Sequence, residues 1–324
     1  MPKILQPDSA SIAHCAERLR RGLSVAFPTE TVYGLGCDAS SEAAVAEVYA
    51  MKSRPQSNPL IAHVLDAAMA KRHVVGWDVR AQKLAEAFWP GPLAIILPRR
   101  ADICALSVGG RTSVAVRVPA HPVARALIEA FGKPVSAPSA NRSGKLSPTS
   151  AAHVAEEFSE FAELPILDGG PCEVGLESTV LDLSRSRPTI LRPGAITAQD
   201  MEPIIGPIAV PEIGQQAASP GTSALHYAPN TKSELVDEAR LSERLAQETS
   251  RVAVVAFAGT AVGAEHELFA MPRHASAYAQ LLYSTLRRAD ASGAATILIV
   301  TPSERGGLWD AAHDRIKRAT AKRA

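Results

Sequence analysis

The sequence predicts an α/β protein: a mixed, twisted sheet with flanking helices over residues 1–205, a linker over 206–230, and a small open α/β unit over 231–324. Three observations predict it. Short apolar runs alternate with helical stretches through the first two thirds of the chain. Several successive strands there lack an intervening helix, which favours mixed over purely parallel pairing. Pro207, Pro211, Pro220 and Pro229, with Gly206, Gly214 and Gly221, then break all periodicity between two patterned regions. At 324 residues the chain also exceeds one ordinary core, taking about 150 residues per domain.

The elements follow in order. Ser9 opens a helix over 9–21 with apolar positions at 12, 16 and 19, stopped by Gly22, and LSVAF (23–27) is a buried strand. PTETVYGLG is a polar loop, and SEAAVAEVYAMK is a helix ended by the breaker pair Arg54-Pro55. PLIAHVL (59–65) is a strand, Asp78 N-caps the helix DVRAQKLAEAF, and LAIIL (93–97) is a strand between Pro92 and Pro98. TSVAVRV (112–118) alternates with period two, PVARALIEAF is helical, and KPVSAP is a short strand running into a polar loop. A helix near 149–158 and strands near 165–167, 178–183 and 188–191 come next, and Thr197 and Asp200 stand at capping-box spacing. Beyond the linker, a strand at 251–257, a helix over 276–290, a strand at 296–300 and a helix from about 308 make a βαβ pattern. The basic tail RIKRATAKRA reads as a solvated terminal helix.

Composition narrows the function classes. Lys and Arg number 34 against 33 Asp and Glu, a formal charge of +1, so no global field draws the chain to nucleic acid or membrane. Apolar runs stay far below the roughly 20 residues that span a bilayer. The first residues hold no apolar core of a secretory signal, so a cytoplasmic location is expected. Cys15, Cys37, Cys104 and Cys172 are scattered, which argues against a zinc site or a disulfide framework. His313, between two aspartates in DAAHDR, has no matching ligands and reads as helix surface. No GxxxxGK[ST] and no GxGxxG follows a strand, so a bound nucleotide is held by another route.

Four loops of the first region carry polar residues that a plain connector does not need, and they follow strands, where open α/β sheets place ligands. PTETVYGLG offers Thr29, Glu30, Thr31 and Tyr33. KSRPQSNPLIAH crowds Lys52, Arg54 and Asn58 into a segment held non-helical by Pro55 and Pro59; it suits a polyphosphate or a solvated helix end equally well. SAPSANRSGKLSPT offers hydroxyls at Ser136, Ser139, Ser143 and Ser147 with Asn141, Arg142 and Lys145, a composition able to form an anion-binding nest. ESTVLDL and LRPGAIT place Ser178 at the head of one strand and Arg192 at the end of another. Arg117 lies amid apolar neighbours and calls for an anionic partner, either a protein carboxylate or a ligand.

In this order and spacing, PTETVYGLG, KSRPQSNPLIAH, TSVAVRVP, SAPSANRSG…SPT, ESTVLDL and LRPGAIT resemble the YrdC-like domain of the threonylcarbamoyl-AMP synthase family, over roughly residues 8–205. The linker and the small domain after it resemble the long two-domain form. The resemblance implies a YrdC-like mixed sheet with a small Rossmann-like C-terminal domain. It implies a reaction of L-threonine, bicarbonate or CO2 and ATP to L-threonylcarbamoyl-AMP and pyrophosphate, supplying N6-threonylcarbamoyladenosine to tRNA. Lys52 and Arg54 match the family's KxR element and would hold the ATP phosphates, as catalytic residues, with Asn58 beside them. Ser113, Ser139, Ser147 and Arg192 match further nucleotide-contacting positions. Thr31, His63, Arg117, Ala137 and Ser178 match the threonine pocket, with Arg117 facing the carboxylate and His63 a wall rather than a base. Mg2+ would ride on the phosphates, with no metal held by the protein.

The family's linker resembles SPGMKYKHYAP and folds back as a lid. Here SPG and HYAP match, which places His226 and Tyr227 at the nucleotide, while Thr222, Ser223 and Ala224 replace a bulky, partly basic trio. Implied partners are the threonylcarbamoyl-transferase machinery and tRNA. Two other readings are an RNA-binding regulator, against which stand the neutral charge and 5% aromatic content, and a carbamoyltransferase-related enzyme, whose likeness stops at the first domain.

Overall fold

In the computed structural model, whose described residues are 1–210 and 227–321, two sheets organise the chain. The first holds β1 (Lys3–Leu5), β2 (Val25–Phe27), β3 (Gly34–Asp38), β4 (Ile61–His63), β5 (Leu93–Pro98), β6 (Ser113–Arg117), β7 (Val135–Ser136), β8 (Pro165–Leu167), β9 (Thr179–Asp182) and β10 (Thr189–Arg192). Their order is β1-β8-β2-β3-β7-β4-β6-β5-β9-β10. Pairing is mixed, as expected: β4 runs parallel to β6 and β5 to β9, while β5–β6, β4–β7, β3–β7 and β9–β10 are antiparallel. β3 begins inside PTETVYGLG, the stretch that reads as a loop, because Gly34 and Gly36 erase its β-propensity.

The helices are α1 (Ser9–Arg20), α2 (Glu42–Lys52), α3 (Ala67–His73), α4 (Val79–Phe88), α5 (Pro122–Phe131), α6 (Ala151–Glu157) and α7 (Ala198–Ile205). Asp8, Ser41, Asp66 and Asp78 accept from first-turn N–H groups, and Thr197 with Asp200 forms the expected capping box. The seven-residue α3 has no legible apolar stripe in the sequence.

Period-two alternation in the central strands builds two different faces. Ala62, Leu93, Ile95, Leu97, Val114, Val116 and Leu181 join a core with residues of α1, α3, α4 and α5. The opposite phase presents Ile61, Ala94, Ile96, Ala115, Val180 and Leu191, a small apolar cluster to which no helix among the described residues contributes. His63, Ser113 and Arg117 share that second phase, so the sheet itself carries them to the second face.

The second sheet holds β11 (Lys232–Val236), β12 (Val252–Phe257), β13 (Glu267–Met271) and β14 (Thr296–Val300), all parallel in the order β11-β14-β12-β13. Its helices are α8 (Leu241–Leu245), α9 (Ala275–Asp290) and α10 (Leu308–Ala319). β11 and β13 are edge strands of mixed burial and leave little alternation to read. Val32, Leu146 and Leu176 of the first unit pack in one cluster with α9, α10 and Tyr227. The terminal helix is therefore not solvated as its basic sequence reads: Arg315 is 0% and Arg318 3% exposed, paired with Asp314 and, for Arg315, Glu177.

One glycine fixes how β9 meets the segment after β10. A Cβ on Gly194 would lie 2.4 Å from the Thr179 backbone nitrogen and 2.8 Å from the Ser178 carbonyl carbon. Gly194→Ala should lower unfolding free energy by about 1–3 kcal/mol through that forced separation. Urea unfolding measures it, and an unchanged midpoint would contradict the packing described.

Candidate active site

At the second sheet face, the loop after β2 is shaped by Thr29. Its hydroxyl donates to the Val32 carbonyl at 2.6 Å and accepts from the Thr31 and Val32 N–H groups at 3.2 Å. This turn presents Thr31 to Arg117, whose Nη1 donates to Thr31 Oγ1 at 3.0 Å. Arg117 is buried, and its Nη2 pairs with Glu30 Oε1 at 2.7 Å. Glu30 in turn accepts from the Ala120 N–H at 3.1 Å. The sequence leaves the anionic partner of Arg117 undecided between a carboxylate and a ligand; within the chain it is Glu30.

α2 ends at Lys52, with Ser53 in the left-handed region at φ 50°. That reversal sends Lys52 and Arg54 to different places. Lys52 is 1% exposed and donates to the Ser139 carbonyl at 2.6 Å and to the Asn141 carbonyl. It stiffens the 136–149 loop from beneath, and burial holds its pKa well below the usual lysine range. Arg54 instead lines the cavity, braced by Nε to the Asn58 carbonyl at 3.2 Å and Nη2 to the Pro59 carbonyl at 3.0 Å. Burial lowers Arg54 to about 10, still cationic at neutral pH. Asn58 thus acts through its backbone, which also accepts from the Tyr49 hydroxyl at 2.8 Å.

Loop 136–149 is ordered by Asn141, whose amide donates to the Arg142 and Lys145 carbonyls at 2.8 Å and whose Oδ1 accepts from Ser139 Oγ at 2.5 Å. Ser139 and Ala137 line the cavity. Ser147 lies just outside, its hydroxyl donating to Glu177 Oε1 at 2.6 Å. Across the cavity, Arg192 donates to the Ser178 carbonyl at 3.0 Å and to Ser178 Oγ at 3.1 Å. Tyr227 forms the remaining wall, 1% exposed, at φ 60°, its ring 5.6 Å from that of Tyr283. His226 lies outside the described residues.

Thr31, Arg54, His63, Arg117, Ala137, Ser139, Ser178, Arg192 and Tyr227 therefore meet around one cavity of about 50 Å³. Ser113 does not join it. It lines an adjoining groove of about 430 Å³ over the same sheet face, with Leu60, Ile96, Ala115 and Leu191 as an apolar floor. The junction is direct, since Ile61 of the cavity is the register partner of Ala115 of the groove. A pocket with three arginines and several hydroxyls, beside a groove with an apolar floor and a polar rim, suits an anion joined to a flat group with polar edges.

Glu177 is the wall residue that sequence reasoning missed, although it directly precedes Ser178 in ESTVLDL. It accepts from Ser147, from Tyr283 Oη at 3.0 Å and from Arg315 Nε at 2.8 Å. Burial works against its ionisation, but Arg315 and Arg192 outweigh that and hold it down to about 2. No local signal links it to Arg315, which lies 138 positions away.

Residues 17–194 match the domain family described as "Telomere recombination", and residues 196–321 match "Threonylcarbamoyl-AMP synthase, C-terminal domain". A threonylcarbamoyl-AMP synthase of Pyrococcus abyssi is 39% identical over 321 residues, covering 94% of this chain and 92% of that one. The chain belongs to the threonylcarbamoyl-AMP synthase family. A family member from Bacillus subtilis is 44% identical over 230 residues, 69% of this chain and 66% of its own. The crystal structure of P. abyssi Sua5 complexed with L-threonine superposes with a TM-score of 0.90 at 37% identity, covering 99% of this chain and 97% of that one. The mixed sheet and the two-domain form expected from the motifs are borne out, and neither the RNA-binding nor the carbamoyltransferase reading is favoured by these family relationships.

His63 stands against Phe27 edge to face, with ring centroids 6.0 Å apart. Burial, with Arg117 adding to it, pushes its pKa down from 6.5 to about 3. The folded chain keeps it neutral while the unfolded chain takes up a proton below 6.5, so His63 subtracts stability as pH falls from 6.5 toward 3. The slope is up to about 1.4 kcal/mol per pH unit. His63→Gln should flatten the pH dependence of unfolding free energy by that amount over about one pH unit below 6.5; an unaltered slope would mean the folded chain protonates His63.

Proposed function

We propose that this chain is an L-threonylcarbamoyladenylate synthase, joining L-threonine, bicarbonate or CO2 and ATP into L-threonylcarbamoyl-AMP with release of pyrophosphate. The observation that carries the reading is the composition of the cavity: cations and hydroxyls converge on it, and His63, burial-neutralised, is its wall. Such a site fits chemistry in which the nucleophile arrives already charged. The threonine amine forms an N–C bond to the carbon of bicarbonate or CO2, losing water in the first case and a proton to solvent in the second, and gives a carbamate. A carbamate oxygen then attacks the α-phosphorus, and the bond from that phosphorus to the bridging oxygen breaks as pyrophosphate leaves. No side chain needs to remove a proton in that second step.

The residues divide the work by position. Arg54 and Arg192 face the phosphates and offset the charge gathering on pyrophosphate. Thr31 and Ser178, near Arg117, receive threonine, while Ala137 and His63 close the pocket around it. Because Glu30 already balances Arg117, that guanidinium meets a substrate carboxylate as part of a hydrogen-bonded set with Thr31 rather than as a lone cation. The adenine takes the groove beside Ser113, over its apolar floor, with Ser139 and Ser147 on the nucleotide side. Lys52 holds the phosphate-facing loop in place through its carbonyls. Mg2+ comes with the ATP phosphates, since Glu30 and Glu177 are both already engaged by arginines; bound there it adds positive charge opposite the leaving group.

The catalytic domain spans residues 1–205, a linker carrying His226 and Tyr227 spans 206–230, and a C-terminal domain spans 231–324. The product, a mixed anhydride prone to hydrolysis, suits a cavity closed over by Tyr227 and is consumed in tRNA modification, in the cytoplasm.

Arg54→Ala should reduce ATP affinity or turnover about 10- to 150-fold, from charge-assisted contacts of about 1.5–3 kcal/mol. Threonine- and bicarbonate-dependent pyrophosphate release from ATP measures it. Release by the variant at the wild-type rate would contradict the assignment, and wild-type protein that releases none would overturn the function.

A further inference from the structure

Arg315 belongs to α10, in the second unit, yet it reaches into the first. Its Nε donates to Glu177 Oε2 at 2.8 Å, and its Nη2 to the Pro193 carbonyl at 3.0 Å. Its guanidinium lies 5.4 Å from the centre of the Tyr227 ring. Those three segments each supply the cavity with lining: Glu177 and Ser178, Arg192, and Tyr227. Arg315 itself does not line it. The guanidinium is locked in place by Asp314, at 2.6 Å from Nη1, and Asp314 accepts in turn from Arg318 Nε at 2.9 Å. Tyr283 of α9 adds a second tether, donating to Glu177 while its ring backs Tyr227.

We infer that Arg315 is a positioning residue of the active site, supplied by the C-terminal domain, which sets the affinity of the cavity for the ATP phosphates and the threonine carboxylate. This rests on the synthase reading above. Two physical effects combine in it. A buried Glu177 carboxylate facing the cavity would repel phosphate and threonine carboxylate, and Arg315 neutralises it where both charges are shielded from water. The same fork fixes the relative position of three separate chain segments, so the spacing between Ser178, Arg192 and Tyr227 is set from outside the domain that contains the sheet. The C-terminal domain thereby completes a wall of the site, although it lends the cavity no lining residue of its own.

The test uses the full-length protein, with threonine-dependent pyrophosphate release measured beside thermal unfolding. Arg315→Met should raise the KM for ATP and for threonine about 10-fold or more, with a smaller fall in kcat per folded molecule, and Arg315→Lys should recover part of the loss. Tyr283→Phe keeps the packed ring and removes only the hydroxyl; it should raise both KM values about 2- to 5-fold with a melting temperature close to wild type. If Arg315→Met does not fold, Tyr283→Phe decides alone. Unmoved KM values in Tyr283→Phe, or an Arg315→Met protein that merely has a smaller folded fraction at wild-type KM, overturn the inference. Wild-type protein without threonine-dependent release overturns the functional reading beneath it as well.

Discussion

A cavity built to receive anions cannot leave its own carboxylates unbalanced, and that constraint organises this molecule. Glu30 and Glu177 both stand at the site, each buried and each held by an arginine at 2.7 and 2.8 Å. Removing one member of such a buried pair leaves an uncompensated charge, at a cost of about 3–5 kcal/mol. The pairs are also rulers. Arg117–Glu30 spans β6 and the loop after β2, and Arg315–Glu177 spans the two domains, so charge balance and wall geometry are specified by the same contacts.

The sheet supplies the floor on which those walls stand. Because side chains alternate along a strand, the five residues of β6 put Val114 and Val116 into the helix-covered core and Ser113, Ala115 and Arg117 onto the second face. His63, paired in register with Arg117, follows from the same alternation in β4. Around that floor the loops are stiff. Thr29, Lys52 and Asn141 each place side-chain hydrogen bonds on backbone groups of the loops that carry Thr31 and Ser139, which is the pre-organisation that electrostatic catalysis needs.

Much of this was legible in the sequence. Period two in TSVAVRV announced a half-buried strand with Arg117 on it, and the capping signals at Asp78 and Thr197 marked true helix starts. The polar loops singled out in the sequence do converge, their residues lining one cavity. What escaped was of two kinds. Short or glycine-bearing strands such as β1 and β3 carry too few β-formers to register, and their strand character comes from neighbours in the sheet. Long-range charge pairing leaves no local trace at all. RIKR reads as a solvated tail until Glu177 and Asp314 are found beside it, and nothing in KSRPQSNPL announces the two loop carbonyls that Lys52 meets.

The account stands on one spatial claim: the phosphates lie between Arg54 and Arg192, with the base over the groove at Ser113 and threonine against Thr31 and Ser178. A crystal structure of the wild-type chain with ATP and L-threonine tests it most directly. The account predicts the nucleotide bridging cavity and groove across Ile61 and Ala115, with threonine enclosed beside Arg117. Phosphates bound away from Arg54 and Arg192, or threonine outside the cavity, would contradict it.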